Sequence, residues 1–255
     1  MKIRIEIAPQ YEHLRPFIAD IAENGVPEER ARLVYAARNR VYALTAPGGE
    51  ELSVKAFRSP SFPNCYVYTH LRQSKARRSM ENALRLVEMG FDTPGPVAYV
   101  ECTEHGRLTR SYYISRQIAA DGDLRRWLDN PLAAKAMPGA AHLLARLHRE
   151  GVFHKDFTPG NIMFSALPDG TFRYYLIDLN RMQFDVHRPK RLLRNLAAIY
   201  IESEEETARF GRLYGIATGM DPDKAEAEAR AQMHRFIAHK RLLKRLKHPF
   251  NPKYP

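Results

Sequence analysis

Cysteine is scarce: Cys65 and Cys102 lie far apart in 255 residues and no Cys-x-x-Cys pair occurs. That excludes a disulfide framework and a thiolate zinc site, and both thiols read as structural. Long apolar runs are missing too. None approaches the roughly 20 residues that a membrane span needs, and the opening MKIRIEIAPQ alternates charge with isoleucine where a signal peptide would carry an apolar core. A cytoplasmic protein is expected. No repeat or biased segment argues for disorder, and 44% apolar with 27% charged residues lies in the ordinary globular range. What is abundant is positive charge: 40 basic against 29 acidic side chains leave a formal +11. Such a field draws in nucleic acid, anionic membrane or phosphorylated ligands without choosing among them.

Residues 33–57, LVYAARNRVYALTAPGGEELSVKAF, hold two β-rich runs around Pro47-Gly48-Gly49, which predicts a hairpin with Lys55 on its second strand. An irregular Pro- and Ser-containing stretch follows. QSKARRSMENALRLVEMG then has helical spacing, with Met80, Ala83, Leu84 and Val87 expected on one face, Gly90 as the stop and Glu81 on the helix. Two more strand-like runs occupy PGPVAYVECTEHGRLTRSYYISRQI, and GDLRRWL starts a short helix. The first lobe is expected to end at residue 118, giving lobes of 1–118 and 119–255.

The second part is mostly helical. GAAHLLARLHREG places Leu143, Leu144 and Leu147 together and closes at Gly151. NIMFSALPDGTFRYYLIDLN is a hairpin pattern turning at Asp169-Gly170, and its open end would bring Asn161 near Asp178. Beyond it, Ser203 and Glu206 form a capping-box pattern, Asp221-Pro222 marks a helix start, and no strand is expected after Leu179. The order predicts an α+β architecture: a β-rich lobe with one inserted helix, a mostly helical lobe, and a cleft between them.

The segment GVFHKDFTPGNIMF spaces His154, Asp156 and Asn161 as His-x-Asp-x-x-x-x-Asn, and LIDLN places Asp178 seventeen residues after Asn161. Pro159-Gly160 is turn chemistry. The spacing resembles the catalytic loop and metal segment of the protein-kinase-like fold, a bilobal α+β fold. The resemblance implies ATP and Mg²⁺ as cofactors: Asp156 accepts or orients the proton of an acceptor hydroxyl, and Asn161 and Asp178 give oxygen ligands to magnesium. It further implies that Lys55 in LSVKAF reaches the α- and β-phosphates while Glu81 pairs with it, Glu88 being the other choice. His154 would hold the loop in shape. Gln117 and Ile118 fall where the hinge would offer backbone groups to adenine.

IDLNRMQF, SKARRSMENA, TPGPVAY and HKDFTPGNI together resemble the lipopolysaccharide kinase family, over roughly residues 30–200. Members phosphorylate Kdo or heptose sugars of the inner core, so the implied activity is a kinase acting on a sugar hydroxyl. Three departures matter. YAARNRVY occupies the nucleotide-covering loop without Gly-x-Gly-x-x-Gly, so phosphate contacts there need side chains such as Arg38 or Arg40. Asp-Leu-Asn stands for Asp-Phe-Gly and no Ala-Pro-Glu follows, which disfavours protein substrates. Thr158 replaces a common lysine, and Arg181 is placed to meet a phosphoryl group or an anionic acceptor.

The terminal AHKRLLKRLKHPFNPKYP interleaves Leu242, Leu243 and Leu246 with basic residues and is expected to stop at Pro249. It reads as a solvated helix face or as a peripheral contact with anionic membrane near a lipid-linked or small sugar acceptor at the inner membrane. Nucleic acid finds no support, since no RNA-binding motif or aromatic stacking set is present. Alternatives are a soluble aminoglycoside- or choline-type kinase and a kinase-like nucleotide-binding module without catalysis.

Overall fold

The computed structural model describes residues 1–59, 65, 72–126, 130–199 and 202–247. The irregular stretch at 60–64 and 66–71, Trp127 and Leu128 of GDLRRWL, and the stop at Pro249 lie outside the described residues. The chain divides into two compact units, residues 1–119 with 175–180, and residues 120–174 with 181–255. A two-lobe split at 118 therefore needs correcting at one segment: the six residues carrying Asp178 belong to the first unit.

The first unit is a six-stranded antiparallel sheet in the order β1-β5-β6-β4-β3-β2. Its strands are β1 (Lys2–Ile7), β2 (Arg32–Ala36), β3 (Arg40–Thr45), β4 (Glu51–Phe57), β5 (Pro96–Glu104) and β6 (Arg107–Arg116). The expected two-strand hairpin at 33–57 is three strands, because the Arg38-Asn39 corner splits the first run into β2 and β3. The Pro-Gly-Gly turn forms, with Gly48 and Gly49 at positive φ and an Ala46 N–H to Glu50 C=O bond of 2.8 Å.

Strand alternation divides the sheet's faces. Leu52 and Val54 of β4, with Val100 and Ile114, pack against Ile18 and Ile21 of α1 (Arg15–Asn24), a helix the sequence reading did not include. Lys55 lies opposite Tyr113, and Tyr113 opposite Tyr99, so these three share the other face, where α2 (Lys75–Glu88) packs on β5 and β6. Ser74 caps α2 by accepting the Arg77 N–H at 3.0 Å. Its buried stripe is Ala76, Ser79, Met80, Ala83 and Leu86, spaced by three and four residues. Leu84 and Val87 were expected in that stripe and are instead exposed, at 38% and 49%. The apolar face is rotated toward the small residues because the helix lies close to the sheet.

The second unit contains β7 (Gly122–Asp123), a 3-10 helix (Leu124–Arg126) within GDLRRWL, α3 (Pro131–Arg149), β8 (Phe153–His154) and β9 (Ile162–Ala166). β10 (Phe172–Leu176) returns from the Asp169-Gly170 turn, and the chain enters the first unit at Tyr175. The expected absence of strands after Leu179 is corrected by β11 (Met182–Gln183), which pairs with β8. The α-helices that follow among the described residues are α4 (Pro189–Leu192), α5 (Glu204–Thr218) and α6 (Pro222–Lys247).

α5 and α6 pack closely because Gly211 faces α6 without a side chain; a Cβ there would lie 2.9 Å from the Ala225 carbonyl oxygen. Half of the capping box at Ser203 forms. Its hydroxyl accepts the Glu206 N–H at 3.3 Å, whereas Glu206 Oε2 is buried with no hydrogen-bond partner among the described residues, and burial raises the pKa of that carboxyl.

Candidate active site

In the first unit, β4 delivers Lys55 and the 175–180 segment delivers Asp178. The segment is tied down at three points: the Leu176 N–H donates to Asp92 C=O at 3.1 Å, Thr93 Oγ1 to Leu176 C=O at 2.8 Å, and Asn82 Nδ2 to Leu179 C=O at 2.7 Å. Asp178 itself has φ +57°, a left-handed conformation that a short polar side chain tolerates at modest cost and that gathers at functional sites. Its Oδ1 accepts from Lys55 Nζ at 2.5 Å and from Asn180 Nδ2 at 2.6 Å.

The expected Lys55–Glu81 pair is not what the structure contains. Glu81 Oε1 accepts from Arg77 Nε at 2.7 Å and from Gln73 Nε2 at 3.2 Å, one helical turn of α2 supplying the nearer cation. Glu88, the other choice, is exposed. Of the two arginines named for phosphate contacts, Arg40 is bound to Glu28 at 3.1 Å and to the Tyr42 hydroxyl at 3.4 Å, away from that task. Arg38 stands exposed at the β2–β3 corner. At the end of β6 the Gln117 N–H is already committed to Glu51 C=O at 2.8 Å, and the Gln117 side chain donates to Ile118 C=O at 3.2 Å.

Sequence reasoning missed Lys75. Its Nζ lies 6.0 Å from the centroid of the Phe57 ring, and Lys55 Nζ lies 5.4 Å from the same ring. Partial burial lowers the Lys75 pKa, and the neighbouring charges of Arg38, Arg78 and Lys55 lower it further while Asp178 opposes them. No motif points to Lys75, because its nearness to Lys55 arises only when α2 meets β4.

In the second unit, His154, Asp156 and Asn161 form one hydrogen-bonded loop. His154 is buried, and its Nδ1 accepts the Asp156 N–H at 3.2 Å. Asn161 Nδ2 donates to Asp156 C=O at 2.8 Å, which turns its Oδ1 the other way. Arg181 Nη1 lies 2.8 Å from Asp156 Oδ1, so the arginine expected to meet an anion meets this carboxylate. Arg125, held by Asp123 at 2.6 Å, rests on the loop: a Cβ at Gly160 would lie 2.7 Å from Arg125 Cδ, which explains glycine there.

Beneath the loop runs a buried polar relay that the sequence did not announce. Asn195 Nδ2 donates to His154 C=O at 2.6 Å, so its Oδ1 must accept from His148 Nε2, 3.0 Å away. That assigns the proton to Nε2, and Nδ1 accepts from the Tyr214 hydroxyl at 2.9 Å. His148 is thereby neutral, and burial pushes its pKa down to about 4.

Among the described residues no three His, Cys, Asp or Glu side chains gather into a metal cluster. Magnesium needs no such cluster, since it takes few protein ligands and keeps water and phosphate oxygens. Asp178 and Asn161 each carry an oxygen of the hard kind that ion takes, and the Asn161 amide nitrogen, not its oxygen, is engaged by the Asp156 carbonyl.

A β-sheet unit carrying a lysine–carboxylate pair and a helical unit carrying a His-x-Asp-x-x-x-x-Asn loop define a protein-kinase-like fold. The chain belongs to the lipopolysaccharide kinase (Kdo/WaaP) family, whose model matches residues 49–239, and it is a kinase. Solved structures of the same fold include WaaP in complex with acyl carrier protein, at 23% identity and TM-score 0.59 over 92% of this chain and 97% of that one. The Rio2 kinase from Chaetomium thermophilum follows at 16% identity and TM-score 0.50, over 92% of this chain and 83% of that one. No curated protein sequence matches.

Proposed function

We propose that this kinase transfers the γ-phosphoryl group of ATP to a hydroxyl of Kdo or heptose in the lipopolysaccharide inner core. The observation that carries the reading is the 2.5 Å ion pair joining Lys55 to Asp178 across 123 residues of sequence. A strand lysine and a carboxylate are brought together in this way where phosphates and their counter-ion must be held. Magnesium, when bound, neutralises charge on the β- and γ-phosphates, and Asp178 and Asn161 would hold it.

The other roles fall to residues of this chain. Lys55 binds phosphate oxygens, and Asp156 takes the proton of the acceptor hydroxyl as its oxygen forms the new P–O bond. The bond from the γ-phosphorus to the bridging oxygen breaks, and ADP leaves. Arg181 keeps the Asp156 carboxylate in one orientation before the acceptor arrives. His154, through the Asp156 N–H, holds the loop. The adenine would lie against the backbone at Gln117 and Ile118.

A lipid-linked acceptor would bring the protein to an anionic membrane surface. The end of α6 supports that partner: Leu242, Leu243 and Leu246 are exposed at 53%, 42% and 70%, with exposed Lys240, Arg241 and Arg245 on the same turns. No described helix is long and apolar enough to cross a membrane. Co-sedimentation with vesicles containing anionic lipid, with acyl carrier protein as competitor, measures this contact. Retention that disappears in a Leu242→Asp, Leu246→Asp variant is expected; equal retention would remove the role of α6.

The activity is tested by ATP turnover with magnesium over lipid A–Kdo, heptosylated core, aminoglycoside and choline acceptors, with mass spectrometry of the products. A core-sugar phosphate formed by the wild type and absent with Asp178→Ala is expected. Phosphorylation of choline or an aminoglycoside would move the acceptor class. Nucleotide binding without any transfer would leave a binding module.

A further inference from the structure

We propose that Lys75 is a phosphate-binding residue that, with Lys55 and Arg38, forms a side-chain cradle for the nucleotide polyphosphate in place of a glycine-rich loop. This rests on the nucleotide reading above and names how that site holds its ligand.

Glycine-rich loops hold phosphates with backbone N–H groups, which requires a strand turn free of side chains. Here the β2–β3 corner is closed by an Ala37 N–H to Asn39 C=O bond of 3.1 Å and carries Arg38 at its tip. One backbone N–H and one C=O are thus spent on the turn, and Arg38 is exposed to solvent. On the sheet face beside it, Lys55 and Lys75 converge on the Phe57 ring, their ammonium nitrogens 5.4 and 6.0 Å from its centroid. Phe57 is buried, and an aromatic ring attracts a nearby ammonium group without neutralising it.

The charge count points to the ligand. Lys75 feels the positive charges of Lys55, Arg38 and Arg78, and the carboxylate that acts on it, Asp178, is already paired with Lys55. Among the described residues neither Lys75 nor Arg38 forms an ion pair. Gathering like charges on a partly buried face costs stability in the free protein, and proteins keep such clusters where a ligand supplies the missing charge. A chain of phosphates has the charge and the length to meet several of these groups at once. Lone carboxylates or single phosphates would satisfy only one or two.

The test is titration of the full chain with Mg·ATP, tripolyphosphate and adenosine, in wild type, Lys75→Met and Lys75→Arg. One lost charge-assisted hydrogen bond weakens binding about 10- to 100-fold. Lys75→Met should therefore raise the Kd of Mg·ATP and of tripolyphosphate by that factor and leave adenosine unchanged, and Lys75→Arg should recover most of the affinity. In the absence of ligand, Lys75→Met should melt no lower than wild type, since repulsion is relieved, and this separates lost binding from lost folding. A Kd for Mg·ATP within twofold of wild type in Lys75→Met overturns the cradle and leaves the kinase reading intact. Failure of the wild type to bind either Mg·ATP or tripolyphosphate overturns both.

Discussion

Lys55 Nζ lies 2.5 Å from Asp178 Oδ1, and the same carboxylate acts on Lys75, whose positive neighbours are Lys55, Arg38 and Arg78. Removing it should hurt the fold as well as the chemistry. Asp178→Ala is expected to lower unfolding free energy by about 1–3 kcal/mol, since it strands a partly buried ammonium beside like charges. Asp178→Asn, which keeps one acceptor oxygen, should lose less. Urea denaturation of both variants checks this; an Asp178→Ala protein as stable as wild type would show that the pair contributes nothing to the free state.

The role proposed for Asp156 is on the acceptor and not on the nucleotide. Asp156→Ala should lower turnover by about 10²- to 10⁴-fold while the Kd of nucleotide stays near wild type. Steady-state rates beside calorimetric binding separate the two quantities. Equal turnover in variant and wild type would remove Asp156 from the reaction.

Glu81 offers a sharper question, because family resemblance pairs it with Lys55 and the structure pairs it with Arg77. An exposed i,i+4 pair is worth about 0.3–0.5 kcal/mol. If that pair is all Glu81 does, Glu81→Gln should leave nucleotide affinity and turnover within about threefold of wild type, on the scale of such an interaction. A tenfold or larger loss of turnover would mean that Glu81 leaves Arg77 for Lys55 during the reaction.

His148 makes stability depend on pH. Its folded pKa of about 4 lies below the ordinary value of 6.5, so between those values the unfolded chain binds the extra proton. The stabilisation from its neutral form is full above about pH 6.5 and is lost as pH falls toward 4, a total on the order of 3 kcal/mol. Imidazole NMR should show His148 neutral at pH 5 with the proton on Nε2. A His148 that titrates near 6.5 would contradict the relay.

Much of the architecture was legible because it rests on local chemistry. Asp169-Gly170 between apolar runs dictates a hairpin, and Pro-Gly-Gly after β3 dictates a turn. The stripe on α2 was misread because Leu84 and Val87 look like core residues by type. The helix instead turns Ala76, Ser79 and Ala83 inward, where small side chains permit close approach to the sheet. β11 escaped notice because two residues carry no periodic pattern.

The sequence by itself determined the kinds of chemistry available: the spacing of His154, Asp156 and Asn161, the later Asp178, and the lack of a glycine-rich loop are written in the order of residues. Which groups meet was decided only by the tertiary structure. Lys55 finds Asp178 across 123 positions, Glu81 finds Arg77 instead of Lys55, and Lys75 joins Lys55 over one phenylalanine ring. Motifs constrain neighbours along the chain. Pairing between distant side chains depends on strand register, on the rotation of a helix about its axis and on the charges left unneutralised when the elements pack.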